Sequence, residues 1–476
     1  MLLAGAAFAL YWLLGRAVGL IPFNGGAGFD GAVYIEYLQK IAAGEPVPGD
    51  PYRLMRLPGF LPALLAAKLG LPAADMVSWQ RSANMLLLSA GLGLMFDALR
   101  RSGQPARRAA LVVAALGLAW PYALMPGYAP VLSDHLALFM ATLALWAWMR
   151  RLRWLLALLV PASFWVLPGL FVLPAALLAL PFDARRVAGE HGRSRRVFWI
   201  TCAGLLLALV WVWLVAAGVP AAVIDHHPPG TTLGKSALRP LTLLLIGVAL
   251  AASALIGARL LSAQTFWRSL CPHGVAGALL LALLGGATVW FGLDWGGGYQ
   301  GPPLHHHLLL QGLAAPAKPL VAHFVYFGPL FVLAVAALAC RLDDLLEGGL
   351  AAPAAVCVAF LPLLMFASES RQWIWLLPVM ALLTAATART CALWWQLVFS
   401  LALLVPALWL RTATQADARA DAGMLADGWQ LYFGRQGPWM GDRVYVAGGA
   451  LLVLFVLGLA GARARRRRGG RCRRAR

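Results

Sequence analysis

The chain has 476 residues, of which 61% are hydrophobic and 12% charged, with a mean hydropathy of +0.75. That balance excludes an ordinary soluble domain, which is about half apolar and a quarter charged. The net charge of +20 does not indicate a nucleic-acid partner, because the basic residues fall in short clusters between apolar runs, the pattern of a topology signal.

Fourteen apolar stretches follow in chain order: 2–21, 75–98, 109–124, 131–149, 154–164, 166–181, 197–219, 241–261, 275–293, 319–340, 350–367, 373–389, 391–410 and 443–462. Uncharged runs such as Val275 to Leu293 and Val444 to Ala460 are long enough to cross a hydrocarbon core, where a helix satisfies every backbone group internally. The first stretch carries Arg16 and lacks a basic leader or a small-residue cleavage site, so a retained span is expected rather than a signal peptide. Trp154 to Pro181 has arginines on both flanks and Pro161, Pro168 and Pro174 within it, which predicts a hairpin of two short helices. The fold class expected is therefore all-α, a polytopic bundle of about 14 spans.

With the amino terminus inside, 25 of the 39 Lys and Arg lie in cytoplasmic segments, including Arg100, Arg101, Arg107, Arg108, Arg150, Arg151, Arg153 and nine in the tail Arg463 to Arg476. The opposite loops hold 11. The positive-inside rule thus places the carboxyl terminus in the cytoplasm. Of the 19 acids, 13 fall outside, as do the longer loops, so any chemistry is expected there. The six cysteines contain no CxxC pair and indicate neither a disulfide framework nor a thiolate metal site.

Candidate chemistry begins in the first outer loop, Asn24 to Gly44. Glycines surround Asp30, and from there Val33, Tyr34, Tyr37, Leu38 and Ile41 recur at helical spacing, predicting an interfacial amphipathic helix. Asp30 at its start is either an N-cap or an acid aimed at the interface. Tyr52, Arg53 and Arg56 follow in a proline-bounded apolar segment. An arginine there either binds a phosphate through its planar fork or snorkels to headgroups. Ser133-Asp134 opens a later span, and Ser368-Glu369-Ser370-Arg371 precedes the apolar run from Trp373 to Pro378. His226-His227, His305 to His307 and the loop Trp295 to Tyr299 are further outer-side polar or aromatic groups, though adjacent histidines on a helix diverge by about 100° and do not by themselves form a site.

The set Phe29-Asp30-Gly31 with Tyr34, Tyr52-Arg53 with Arg56, Ser133-Asp134 and Glu369 to Arg371 resembles the GT-C superfamily of integral-membrane glycosyltransferases. The likeness covers most of the chain in topology and about thirty residues in motif. It implies one transmembrane domain over 1–462 with a basic cytoplasmic tail, 463–476, in a bacterial inner membrane. It also implies transfer of a sugar from a polyprenyl-phosphate donor to a hydroxyl of a glycan, lipid or protein acceptor on the periplasmic face. Asp30 would be the catalytic base, Arg53, Arg56 and Arg371 would bind the donor phosphate, and Asp134, Glu369, Tyr34 and Tyr52 would orient these groups or the acceptor. Many relatives carry adjacent acids in the first loop, whereas Asp30 is followed by Gly31 and the next acid is Glu36. No cofactor is therefore indicated; a divalent metal is compatible with the chemistry but not signalled. The alternatives are a flippase for lipid-linked sugars, or an outer-face glycan ligase or polymerase.

Overall fold

The computed structural model describes residues 2–47, 49–182, 194–226, 237–293, 310, 312–405 and 440–474. Every regular element among them is a helix, as expected of a chain whose backbone must be satisfied without water. The described part of each of the fourteen apolar stretches is mainly helical.

Helix α1 (Leu2–Val18) ends at Gly19, and the loop beyond it folds into a small cap. The cap comprises α2 (Phe29–Ala43), α3 (Pro51–Leu54), a 3-10 turn (Leu57–Phe60) and α4 (Leu61–Lys68). Tyr34, Ile35 and Leu38 of α2 are buried with Phe60, Ala63 and Ala66 and with Met76 and Val77 of α5 (Ala73–Arg101). The amphipathic helix expected at the interface thus has its apolar face docked on protein, while its polar face carries the exposed Lys40–Glu36 pair at 2.6 Å. Gly44, at φ +74°, terminates α2 in the left-handed conformation that glycine adopts without strain.

Among the described residues five helices are long and apolar enough to cross a membrane: α5, α12 (Arg195–Gly218), α14 (Arg239–Ser262), α16 (Pro272–Gly292) and the 442–461 part of α22 (Asp442–Arg474). Two bent pairs bring the number to seven if each is a single span. In one, α6 (Ala106–Gly117) turns by 71° into α7 (Trp120–Ala123) and α8 (Met125–Tyr128); in the other, α17 (Lys318–Phe327) turns by 116° into α18 (Pro329–Glu347). The sharper bend falls at Gly328-Pro329, where φ is +74° and proline cannot continue the preceding hydrogen-bond ladder.

The remaining stretches form apolar helices of 10–17 residues. They include α9 (Asp134–Met149), α10 (Arg153–Phe164), α11 (Val172–Ala179) taken with the 3-10 turn Pro168–Phe171 that runs into it, α19 (Ala351–Phe366), α20 (Leu376–Thr387) and α21 (Thr390–Leu404). A helix of 12 residues is only about 18 Å long, which is why apolar runs outnumber membrane-length helices. The hairpin over Trp154 to Pro181 is present. Cys271 donates its backbone N–H to Ala179 and lies 3.5 Å from the Arg153 guanidinium, so both ends of the hairpin meet at one end of the bundle. That end also gathers Arg101 and Arg150 on Asp97 and Arg259 near Asp343.

Candidate functional site

The opposite end of the bundle assembles residues from four distant segments, and two glycines let them meet. A Cβ at Gly31 would lie 3.0 Å from Val131, and one at Gly59 would lie 3.4 Å from Ser133. The cap therefore closes directly onto the segment that starts α9. Two buried amides of α5 fasten both partners: Gln80 donates to the Gly59 carbonyl at 3.1 Å and to Asn84 at 2.9 Å, and Asn84 donates to the Pro130 carbonyl at 2.7 Å. Ile21 donates to the Tyr128 carbonyl at 2.8 Å and joins the end of α1 to the same rim.

Arg371 lies at the centre, in the 3-10 turn Ser370–Trp373 between α19 and α20. Its Nε donates to Asp134 Oδ2 at 2.8 Å, and its Nη1 is 4.0 Å from Asp30 Oδ2. The side chain of Asp134 is 3% exposed and that of Asp30 is 58% exposed, so one carboxylate is locked inside and the other faces out. Neither acts as a helix cap. Gly28 is the N-cap of α2 and Ser133 that of α9, and neither cap position makes a side-chain bond. Burial alone would lower the Arg371 pKa, but Asp134, Asp30 and Glu369 outweigh it and hold the guanidinium firmly protonated.

Arg56 is also buried, at 5% exposure, with its guanidinium carbon 4.0 Å from the centre of the Tyr52 ring. Among the described residues it has no carboxylate within ion-pair distance, and its Nε is buried without a hydrogen-bond partner. Its field reaches Tyr34, Asp134 and Arg371. The Tyr34 ring packs at a tilt against Phe60, 4.5 Å between centroids, and burial raises its phenol well above the ordinary range, with Arg56 opposing. Asp30, Arg56, Arg371, Asp134, Tyr34, Tyr52 and Glu369 thus belong to one cluster. Arg53 does not join it: Asp50 caps α3 and takes Arg53 in a local pair at 3.1 Å.

Two buried histidines outside the residues expected from sequence, His323 and His135, lie next to this cluster. His323 Nδ1 is 2.9 Å from the Ser370 hydroxyl, beside Arg371, while its ring stacks on Phe327. His135 follows Asp134 and contacts the Leu132 carbonyl at 3.2 Å through Nδ1. The Nε2 atoms of both rings are buried without partners among the described residues. The signal was available for His323, an ionisable group inside an apolar run. Gln80 and Asn84 are polar groups within α5 that the same rule would have singled out.

Among the described residues no group of three or more His, Cys, Asp and Glu side chains could hold a metal ion. His226 ends the short helix α13 (Ala221–His226); His227, His305 to His307 and Trp295 to Tyr299 lie outside the described residues. Comparison with protein-family models, curated proteins and solved structures finds no match to this chain.

Proposed function

We propose that this protein transfers a sugar from a polyprenyl-phosphate donor to an acceptor hydroxyl, in the manner of the GT-C glycosyltransferases it resembles. The observation that carries the reading is Arg56. A buried guanidinium without a carboxylate partner is costly in a low-dielectric site, and a phosphate oxygen is the ligand its planar fork accepts best. Arg371 beside it supplies a second permanent positive charge, already oriented by Asp134.

In the proposed reaction the bond from the sugar's anomeric carbon to the phosphate oxygen breaks as a bond to the acceptor oxygen forms. Asp30, the outward-facing carboxylate, takes the acceptor proton. Arg56 and Arg371 stabilise the polyprenyl phosphate that leaves. Asp134 fixes Arg371, Glu369 adds to its field, and Tyr34 and Tyr52 flank Arg56. Arg53 belongs to a structural cap rather than to this machinery.

We further propose that the shorter helices cross together with the longer ones, giving about 14 passages through a bacterial inner membrane with the site outside and the carboxyl terminus in the cytoplasm. Helices of 10–17 residues are tolerated at membrane depth when buried in protein. Cysteines introduced at Asn24 and Gly230 should react with an impermeant thiol reagent added outside, and one at Gly192 should not; reaction at Gly192 would reverse the assignment.

One observation favours a second reading. The two sharply bent helix pairs are a form common in transporters, so a flippase for the same lipid-linked sugar is the competing function. Proteoliposomes supplied with radiolabelled polyprenyl-phosphate sugars separate the two. Label appearing on an acceptor supports transfer; movement of the intact lipid across the bilayer without transfer would sink the enzymatic reading.

A further inference from the structure

The arginine-rich end of the bundle holds a second feature unrelated to the cluster around Arg371. Helices α18 and α22 and the corner between α20 and α21 line a partly open cavity of about 950 Å³, at the upper end of the roughly 300–1,000 Å³ usual for small-molecule sites. Its walls are apolar, with Leu333, Ala336, Ala392, Trp395 and Leu457 among them. Small residues create the room. At Gly458 a Cβ would lie 2.6 Å from Trp395 Nε1, so only glycine lets the indole lie along that wall.

The mouth is different in character. An adjoining hollow of about 550 Å³ shares Arg341, Thr387, Ala388, Arg389 and Cys391 with the cavity and adds Arg108. Arg389 makes no ion pair among the described residues. Arg108 donates through Nη2 to the Ala388 carbonyl, and its Nε is buried without a partner. Arg341 is paired with Asp344 at 2.5 Å, and the neighbouring Asp343 lies 3.6 Å from Arg259. Among the described residues Arg108 and Arg389 therefore have no carboxylate paired with them, beside the amino terminus of α21, whose dipole also favours an anion.

We propose that this chamber binds one anionic membrane lipid, its phosphate held at the mouth by Arg108 and Arg389 and a hydrocarbon chain lying along the walls. A free inorganic anion would account for the mouth but leave the apolar chamber unused. A neutral lipid would account for the chamber but leave two arginines unused. An amphiphile with a single phosphate satisfies both, and basic pockets between transmembrane helices are known to take such headgroups. The inference is independent of sugar transfer, since no residue is shared with the Arg371 cluster.

Native mass spectrometry of the full-length protein, released from detergent with added dioleoyl-phosphatidylglycerol or dioleoyl-phosphatidylcholine, tests it. The parent should carry one phosphatidylglycerol at concentrations about tenfold below those needed for phosphatidylcholine. Arg108→Gln combined with Arg389→Gln removes the charge and keeps the chamber; Ala336→Phe fills the chamber and keeps the charge. Each should abolish the preference, whereas Arg268→Gln, at the same end but off the cavity, should not. Thermal melting of each variant checks that it is folded, and because the two variant classes perturb different parts, either one alone decides the matter. Equal retention of the two lipids by the parent would overturn the proposal, as would an unchanged preference in a folded variant. Displacement of phosphatidylglycerol by inorganic phosphate, with Ala336→Phe silent, would overturn it in favour of a free-anion site.

Discussion

Helices α12 and α16 differ from α9, α19 and α20 in almost every respect. In α12 and α16 only 11% and 17% of the most apolar window is buried inside the protein, and residues such as Leu207, at 72% exposure, face outward. By contrast α9 buries residues on every side, from Ala137 and Leu138 to Ala144, Leu145 and Trp148, and α20 is buried along nearly its whole length. The exposed helices have 24 and 21 residues; α9 has 16 and α20 has 12. A helix facing lipid must supply its own length and apolarity, because nothing beside it can satisfy a frayed end. A helix walled in by others can stop early, and its ends are then free to present Asp134 and Arg371 to one another.

The sharpest way to break this contrast is to damage the pair that the short helices exist to form. Asp134→Ala leaves Arg371 buried without its close carboxylate, and should lower stability on the order of 3 kcal/mol as well as abolish transfer, read from thermal unfolding and from the radiolabel assay. Combining it with Arg371→Leu should restore much of the stability but no transfer, because an apolar replacement of both partners removes the uncompensated charge. If the double variant stays as unstable as the single, Asp134 acts through something other than the ion pair.

Asp30→Asn should leave melting unchanged and reduce turnover by roughly 100- to 10,000-fold, the range for loss of a general base; near-parental turnover would transfer the role to another acid. Arg56→Lys keeps the charge but loses the fork that holds the phosphate in the donor and as it leaves, so KM should rise and turnover should fall, lowering kcat/KM by about tenfold. Arg53→Lys should be silent in the same assay. Smallest of all, Leu207→Ala on the exposed face of α12 should change stability by no more than about 0.5 kcal/mol and leave activity intact. A large effect there would mean that α12 contacts a partner rather than lipid.

The helical elements were legible in the sequence because uninterrupted apolarity is a local property. The hairpin at Trp154 to Pro181 was legible from its prolines and flanking arginines, and α2 from the spacing of Tyr34, Tyr37 and Leu38. What sequence could not supply was length inside the membrane: an apolar run looks the same whether it faces lipid or protein, so every run suggests a span although, among the described residues, only five to seven helices reach the length. The site was half legible. Glycines around Asp30 marked an acid at a turn, and Arg53 and Arg56 looked alike three residues apart. Only Asp50, three residues before Arg53 and just ahead of Pro51, hinted that the first arginine was already engaged. The joining of Asp134 to Arg371 had no local trace at all, because it depends on Gly59 letting the cap approach Ser133 and on Gln80 and Asn84 holding both in place.

Asp134 and Arg371 are separated by 237 positions in the chain, and a ribosome needs time to cover that distance. At about 5–20 residues per second, roughly 12 to 47 seconds pass between the synthesis of the carboxylate and that of its guanidinium. During this interval α9 exists with an acid at its first residue and no arginine to meet it. The buried pair of Asp134 with Arg371 is therefore among the last contacts of the fold that synthesis permits. A chain truncated before Arg371 would be a substrate for quality control even though every helix it contains had already formed.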